Sequence, residues 1–194
     1  MPRRLTPFVP EGYYHIYNRG NNRNKIFFEH ENYLYFLKGM RRYLLPEADI
    51  IAYCLMPTHY HLMVRIKPTS RFSLGMMRLS VSYTKAVNKA FERVGVLFQG
   101  SFKSKPILDS SHLLQVCRYI HANPVKDSLV ADPSNWPYSN YLEWIGDRDG
   151  TLFDRDFADA QFPDRCGYKD FVSDYIQSRK MPEEIVKHLG ALEG

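Results

Sequence analysis

Met56-Pro57-Thr58-His59-Tyr60-His61-Leu62-Met63-Val64 is the stretch on which the rest of the chain turns. Side chains on a β-strand alternate faces, so His59 and His61 point one way while Tyr60, Leu62 and Val64 point the other, toward a core. Two neutral imidazoles side by side are half of a metal site. Taken alone, such a pair is more often a set of exposed or hydrogen-bonded histidines, so its meaning depends on what surrounds it.

Working outward, residues 49–55 form a short apolar run with strand character, close enough to the histidine strand to pair with it antiparallel. Upstream, residues 12–18 are dense in aromatic and β-branched side chains and lead into the basic, turn-rich loop Arg19-Gly20-Asn21-Asn22-Arg23-Asn24-Lys25. Residues 30–45 space Tyr33, Phe36, Leu37 and Met40 at helical intervals, and residues 72–94 do the same with Met76, Leu79, Tyr83, Val87, Ala90 and Val94. The far side of the second helix carries Arg78, Lys85, Lys89 and Arg93, either a solvated face or a phosphate track. Residues 97–108 read as a bent edge strand that presents Lys103 and Lys105 together. Strand, helix, strand, strand, helix, strand is the ferredoxin-like order, an α+β fold with an antiparallel sheet and both helices on one face.

The other face needs a cover. Asp109-Ser110-Ser111 offers helix caps, Leu113, Cys117 and Ile120 form an apolar stripe, and Asn123-Pro124 predicts the helix end. His112, Gln115, Tyr119 and Asn123 line the remaining side at intervals of three or four. Tyrosine is common in this chain, so Tyr119 alone reads first as a packing residue whose hydroxyl finds a partner. From Leu129 onward the composition changes. Residues 147–166 are acidic and loop-like, and residues 168–190 read as one or two short helices. The predicted organisation is therefore a domain over residues 1–130 and an acidic helical extension over residues 131–194 packed on it.

At 194 residues, the chain can bury a substantial core. No run approaches the 18 or so apolar residues of a membrane span, and the start lacks the apolar segment of a signal peptide, so a cytoplasmic protein is expected. Cys54, Cys117 and Cys166 are widely spaced, which argues against a disulfide framework or a thiolate zinc site. Residues 1–130 hold 19 Lys and Arg against 8 Asp and Glu, a balance of +11, whereas residues 131–194 hold 7 against 13, a balance of −6. The basic part contains the histidine pair. A surplus of that size suits a polyanion, nucleic acid above all, as well as an ordinary basic surface.

A histidine-hydrophobe-histidine strand, a tyrosine on a later helix and a basic ferredoxin-like body together resemble the HUH single-tyrosine transposases of small insertion sequences, and more narrowly their REP-associated branch. The resemblance rests on Tyr14-His15-Ile16-Tyr17-Asn18-Arg19-Gly20, the Met56–His61 stretch, Phe98-Gln99-Gly100-Ser101-Phe102-Lys103, residues 118–126 and Trp136-Pro137-Tyr138-Ser139, and covers roughly residues 11–142. It implies a metal-dependent endonuclease and strand transferase acting on single-stranded or hairpin DNA through a covalent 5′-phosphotyrosine. Carried over, Tyr119 is the nucleophile and His59, His61 and Asn123 are ligands of a divalent cation, Mg²⁺ or Mn²⁺. The third ligand varies in the superfamily, so His15 and Gln115 stand as substitutes or as supports behind the ligands. Arg3, Arg4, Arg19, Arg23, Lys103 and Lys105 would hold phosphates. The protein would act as a monomer or homodimer, and its acidic tail could fold over the basic groove in place of DNA. Two other readings compete: a non-catalytic nucleic-acid-binding regulator derived from a transposase, and a metal-dependent hydrolase of small phosphoesters.

Overall fold

The computed structural model describes residues 7–178 and 180–190. β1 (Tyr13–Arg19), α1 (His30–Tyr43), β2 (Ala48–Met56), β3 (His59–Ile66), α2 (Phe72–Ala90) and β4 (Lys103–Ile107) precede α3 (Ser110–Lys126), and α4 (Tyr141–Ile145), α5 (Arg155–Gln161), α6 (Cys166–Ser178) and α7 (Glu183–Gly190) follow. The sheet order is β2-β3-β1-β4 with every neighbouring pair antiparallel, the ferredoxin-like arrangement.

Register decides which residues share a face, because antiparallel partners point the same way. β1 pairs Tyr17 with His61 and Arg19 with His59. β4 adds Lys103 opposite Tyr17 and Lys105 opposite His15, while β2 sets Cys54 opposite His61 and Met56 opposite His59. The other face of the same strands presents Ile16, Tyr60, Leu62 and Val64 to α1 and α2, where they are buried with Phe36, Met40, Leu79 and Tyr83. The histidine face is covered by α3, whose Val116, Cys117 and Ile120 pack with Cys54, Met56 and Met63 in a second core. This seam is rich in sulfur, with Cys54 Sγ 3.5 Å from Met56 Sδ.

Residues after 130 complete that second core and close the exposed edge of β2. The Leu55 amide donates to the Tyr138 carbonyl, Trp136 Nε1 donates to the Leu55 carbonyl, and Trp144 Nε1 donates to the Ile51 carbonyl. Tyr138 stacks on Tyr33 of α1 with ring centres 3.6 Å apart. Asn140 is fully buried and mimics a strand residue: its Oδ1 accepts from the Tyr53 amide at 2.6 Å and its Nδ2 donates to the Ile51 carbonyl at 3.0 Å.

Several sequence expectations are corrected. α3 does not stop before Pro124 but runs through it to Lys126. Proline already has a helical φ, and its missing N–H costs one bond in the final turn, where the Asn123 side chain meanwhile donates to the Tyr119 carbonyl at 2.8 Å. The fourth strand is shorter than residues 97–108, because its first half only touches β1 through the Gly20–Phe98 bridge and the Gln99 amide before bending at Gly100. α2 ends at Ala90, so Arg93 leaves the line of Arg78, Lys85 and Lys89 and lies over the Phe28 ring. The acidic stretch read as loop contains α5, capped by Asp154 accepting from the Phe157 amide.

Candidate active site

β3 is an inner strand, bonded to β2 and β1, and its alternation sets His59 and His61 beneath α3. Above them, Tyr119 meets His61 edge-on with ring centres 5.7 Å apart, and the two imidazoles lie 5.0 Å apart. These side chains share a cleft of about 650 Å³ with Asn123, one helical turn after Tyr119, and with Arg19, Arg23, Lys103 and Lys126. The floor comes from the sheet, one wall from α3, and the rim from the loops after β1 and before β4. Gly20 makes the first of these loops possible: a Cβ there would lie 1.9 Å from the Asn24 carbonyl oxygen.

Each histidine uses Nδ1 inside the protein and has Nε2 left for the cleft. His59 Nδ1 lies 2.9 Å from the Thr58 hydroxyl, and His61 Nδ1 lies 3.0 Å from His15 Nε2. Burial pulls the His59 pKa down to about 4, with Asp127 opposing and Arg19 and Lys126 assisting. His61 is held well below the ordinary imidazole value by burial, then by the neighbouring His59 and His15. Both rings are therefore neutral donors at physiological pH. Burial pushes the Tyr119 phenol above its usual pKa, joined by Tyr175 and Asp127, while Asn123 and Arg19 pull the other way. The phenol thus keeps its proton at physiological pH.

Among the described residues, no three His, Cys, Asp or Glu side chains converge into a metal cluster. The neutral donors that line the cleft include two imidazoles and an amide, His59, His61 and Asn123. Its chemistry suits a divalent cation with coordination positions left for a phosphate.

Of the other sequence candidates, Arg19, Arg23 and Lys103 line the cleft, whereas Lys105 and Gln115 do not. Lys105 sits one pleat away opposite His15, and Gln115 lies one turn before Tyr119 on α3. His15 is beneath the cleft and touches it through His61. Arg3 and Arg4 lie outside the described residues. Among the described residues none after Asp127 lines the cleft, so the described part of the acidic tail packs on α3 without covering the basic groove. Sequence reasoning missed Tyr17, Thr58, Lys126 and Asp127 as cleft residues. Lys126 stands seven residues after Tyr119, a helical repeat hidden by the expected break at Pro124.

A family model described as IS200-like transposase matches residues 8–123. The chain belongs to this family. Among solved structures, the IS200-like chain is similar to a REP-associated tyrosine transposase bound to a REP hairpin, with a TM-score of 0.61 at 20% identity over 79% of this chain and 94% of that one. That likeness shows a shared fold. Weaker likenesses are to a putative transposase from Deinococcus radiodurans (TM-score 0.42, 17% identity, 61% of this chain and 95% of that one) and to tRNA(His) guanylyltransferase from Saccharomyces cerevisiae (0.47, 10%, 95% and 86%). No curated protein matches the IS200-like chain. Among its described residues no helix is long and apolar enough to cross a membrane.

Proposed function

We propose that this IS200-like transposase cleaves and rejoins single-stranded or hairpin DNA through a covalent phosphotyrosine on Tyr119, dependent on Mg²⁺ or Mn²⁺ held by His59, His61 and Asn123. The observation that carries the reading is the meeting of Tyr119 with His61, ring centres 5.7 Å apart, in a cleft whose wall and rim are cationic. That a protein of the same fold has been seen with a REP hairpin supports hairpin DNA as the substrate class.

The cation, when bound, polarises the scissile phosphate and takes up charge on its non-bridging oxygens. The chain's own residues do the rest. Arg19, Arg23 and Lys103 seat the backbone phosphates along the rim. Tyr119 Oη attacks phosphorus, the bond from phosphorus to the 3′-oxygen breaks, the phenol proton is lost, and the departing oxygen gains one. The products are a 5′-phosphotyrosine and a free 3′-hydroxyl. An incoming 3′-hydroxyl reverses the same steps. The phosphodiester bond energy is kept in the tyrosyl ester, so joining needs no nucleotide cofactor. Burial of Tyr119 excludes water that would otherwise compete for this ester.

The test is incubation of labelled hairpin DNA from the repeats flanking the gene with wild type and Tyr119→Phe, in Mg²⁺, Mn²⁺ or EDTA. A metal-dependent adduct that survives denaturation and disappears in the variant is the expected result. Hairpin binding without an adduct would instead favour a non-catalytic nucleic-acid-binding regulator.

A further inference from the structure

The hydrogen bond beneath His61 fixes more than the direction of that ring. His15 and His61 are both buried, and His15 Nε2 lies 3.0 Å from His61 Nδ1. A neutral imidazole carries one proton on one of its two nitrogens. For His61 to offer the Nε2 lone pair to a cation, its proton must sit on Nδ1 and be donated to His15 Nε2. The His15 proton must then sit on His15 Nδ1. In the opposite arrangement His15 donates from Nε2, His61 accepts at Nδ1, and the N–H that His61 turns to the cleft leaves no lone pair for a ligand bond.

The two histidines of the cleft therefore differ. His59 is backed by the Thr58 hydroxyl, 2.9 Å from its Nδ1, and a hydroxyl rotates to accept or donate without cost to its neighbours. His61 is backed by a ring. That ring is held between β3 and β4 in the centre of the sheet, opposite Met63 on one side and Lys105 on the other, with Tyr17 stacked obliquely at 5.4 Å. Packing leaves it little room to turn away, so the choice between the two arrangements is a choice of proton position.

We propose that His15 is a positioning residue whose tautomer is coupled to that of His61, so that cation binding in the cleft requires and locks the Nδ1–H form of both rings. The proposal rests on the reading of His59, His61 and Asn123 as cation ligands, and it removes His15 from the candidates for third ligand. Partners behind a ligating histidine typically alter metal affinity by 10–100-fold when lost. At this position Gln retains an acceptor for the His61 Nδ1–H, whereas Phe fills the volume and accepts nothing.

The test uses the full chain. Histidine tautomers are assigned from ¹⁵N–¹H correlations with and without saturating Mg²⁺, and Mn²⁺ affinity is measured by electron paramagnetic resonance for wild type, His15→Gln, His15→Phe and His61→Ala. Both His15 and His61 should occupy the Nδ1–H form when Mg²⁺ is bound. H15F should bind Mn²⁺ roughly 10–100-fold more weakly, with H15Q recovering much of the loss. A Mg²⁺-loaded protein in which His61 is Nδ1–H but His15 keeps its proton on Nε2 would overturn the proposal while leaving the ligand reading intact, as would H15F that binds Mn²⁺ like wild type. Unchanged His61 signals in Mg²⁺, with H61A binding Mn²⁺ as wild type does, would overturn both. Should H15F fail to fold, the wild-type tautomers decide alone.

Discussion

Lys126 holds its Nζ 5.1 Å from the centre of the Tyr119 ring, in the wall of the cleft where a phosphate would meet the phenol. A fixed cation there stabilises charge that builds up during attack more than it stabilises bound DNA. Lys126→Met is expected to slow adduct formation by roughly 10–100-fold with a smaller loss of hairpin affinity, as measured by single-turnover cleavage at saturating DNA. His121, two residues after the tyrosine, has a different task. It is fully buried, accepts from the Tyr168 hydroxyl at Nδ1 (2.5 Å) and donates from Nε2 to Asn140 Oδ1 (2.9 Å), and burial lowers its pKa to about 4. The unfolded chain takes up a proton near pH 6.5 and the fold does not, so stability is full above pH 6.5 and falls as pH drops toward 4. His121 should contribute about 2–3 kcal/mol to the fall of thermal stability in EDTA across this window, beside the contributions of His59 and His61, and His121→Gln should make the profile shallower by that amount. At this scale the sequence was readable where one period sufficed: alternation put His59 beside His61, and helical spacing put Asn123 beside Tyr119. The pairing of His15 with His61 was not, because it depends on the register of two strands 46 residues apart in sequence.

The element that matters most is α3, because it carries the proposed nucleophile while β3 carries the proposed ligand pair. Its position is set in part by Asn140, which ties His121 on α3 to the edge of β2 through three hydrogen bonds, to the Tyr53 amide, the Ile51 carbonyl and His121 Nε2. Asn140→Ala leaves buried backbone and imidazole groups without partners and is expected to destabilise the protein by about 2–4 kcal/mol in urea titrations. Sequence patterns located α1, α2, α3 and the strands, since each shows a clear period. Helix ends were harder. Pro124 is a stop signal only when the missing hydrogen bond matters, and in the last turn of α3 it does not. α5 was unreadable because its seven residues give less than two turns in which to see a period.

Over the whole molecule, two cores lie on opposite faces of one sheet, and the boundary expected near residue 130 passes through the second of them. Charge suggested a separate acidic extension packed on the basic domain, since residues 131–194 hold 13 Asp and Glu against 7 Lys and Arg. Composition reports what solvent sees, however, and many of the contacts that join this part to β2 and α3 come from uncharged side chains, Trp136, Asn140, Trp144 and Tyr168 among them, beside the Arg118–Asp174 pair. The sulfur-lined seam between α3 and the sheet has a last consequence. Methionine and cysteine fill space without locking it, so the tyrosine and the histidines meet across an interface of soft, adaptable side chains. An ångström of slip there would spoil the alignment for attack while both cores stayed intact. Heating should therefore silence the protein before it melts: adduct formation, assayed at rising temperature, is expected to decline several degrees below the midpoint seen by circular dichroism, and to return fully on cooling.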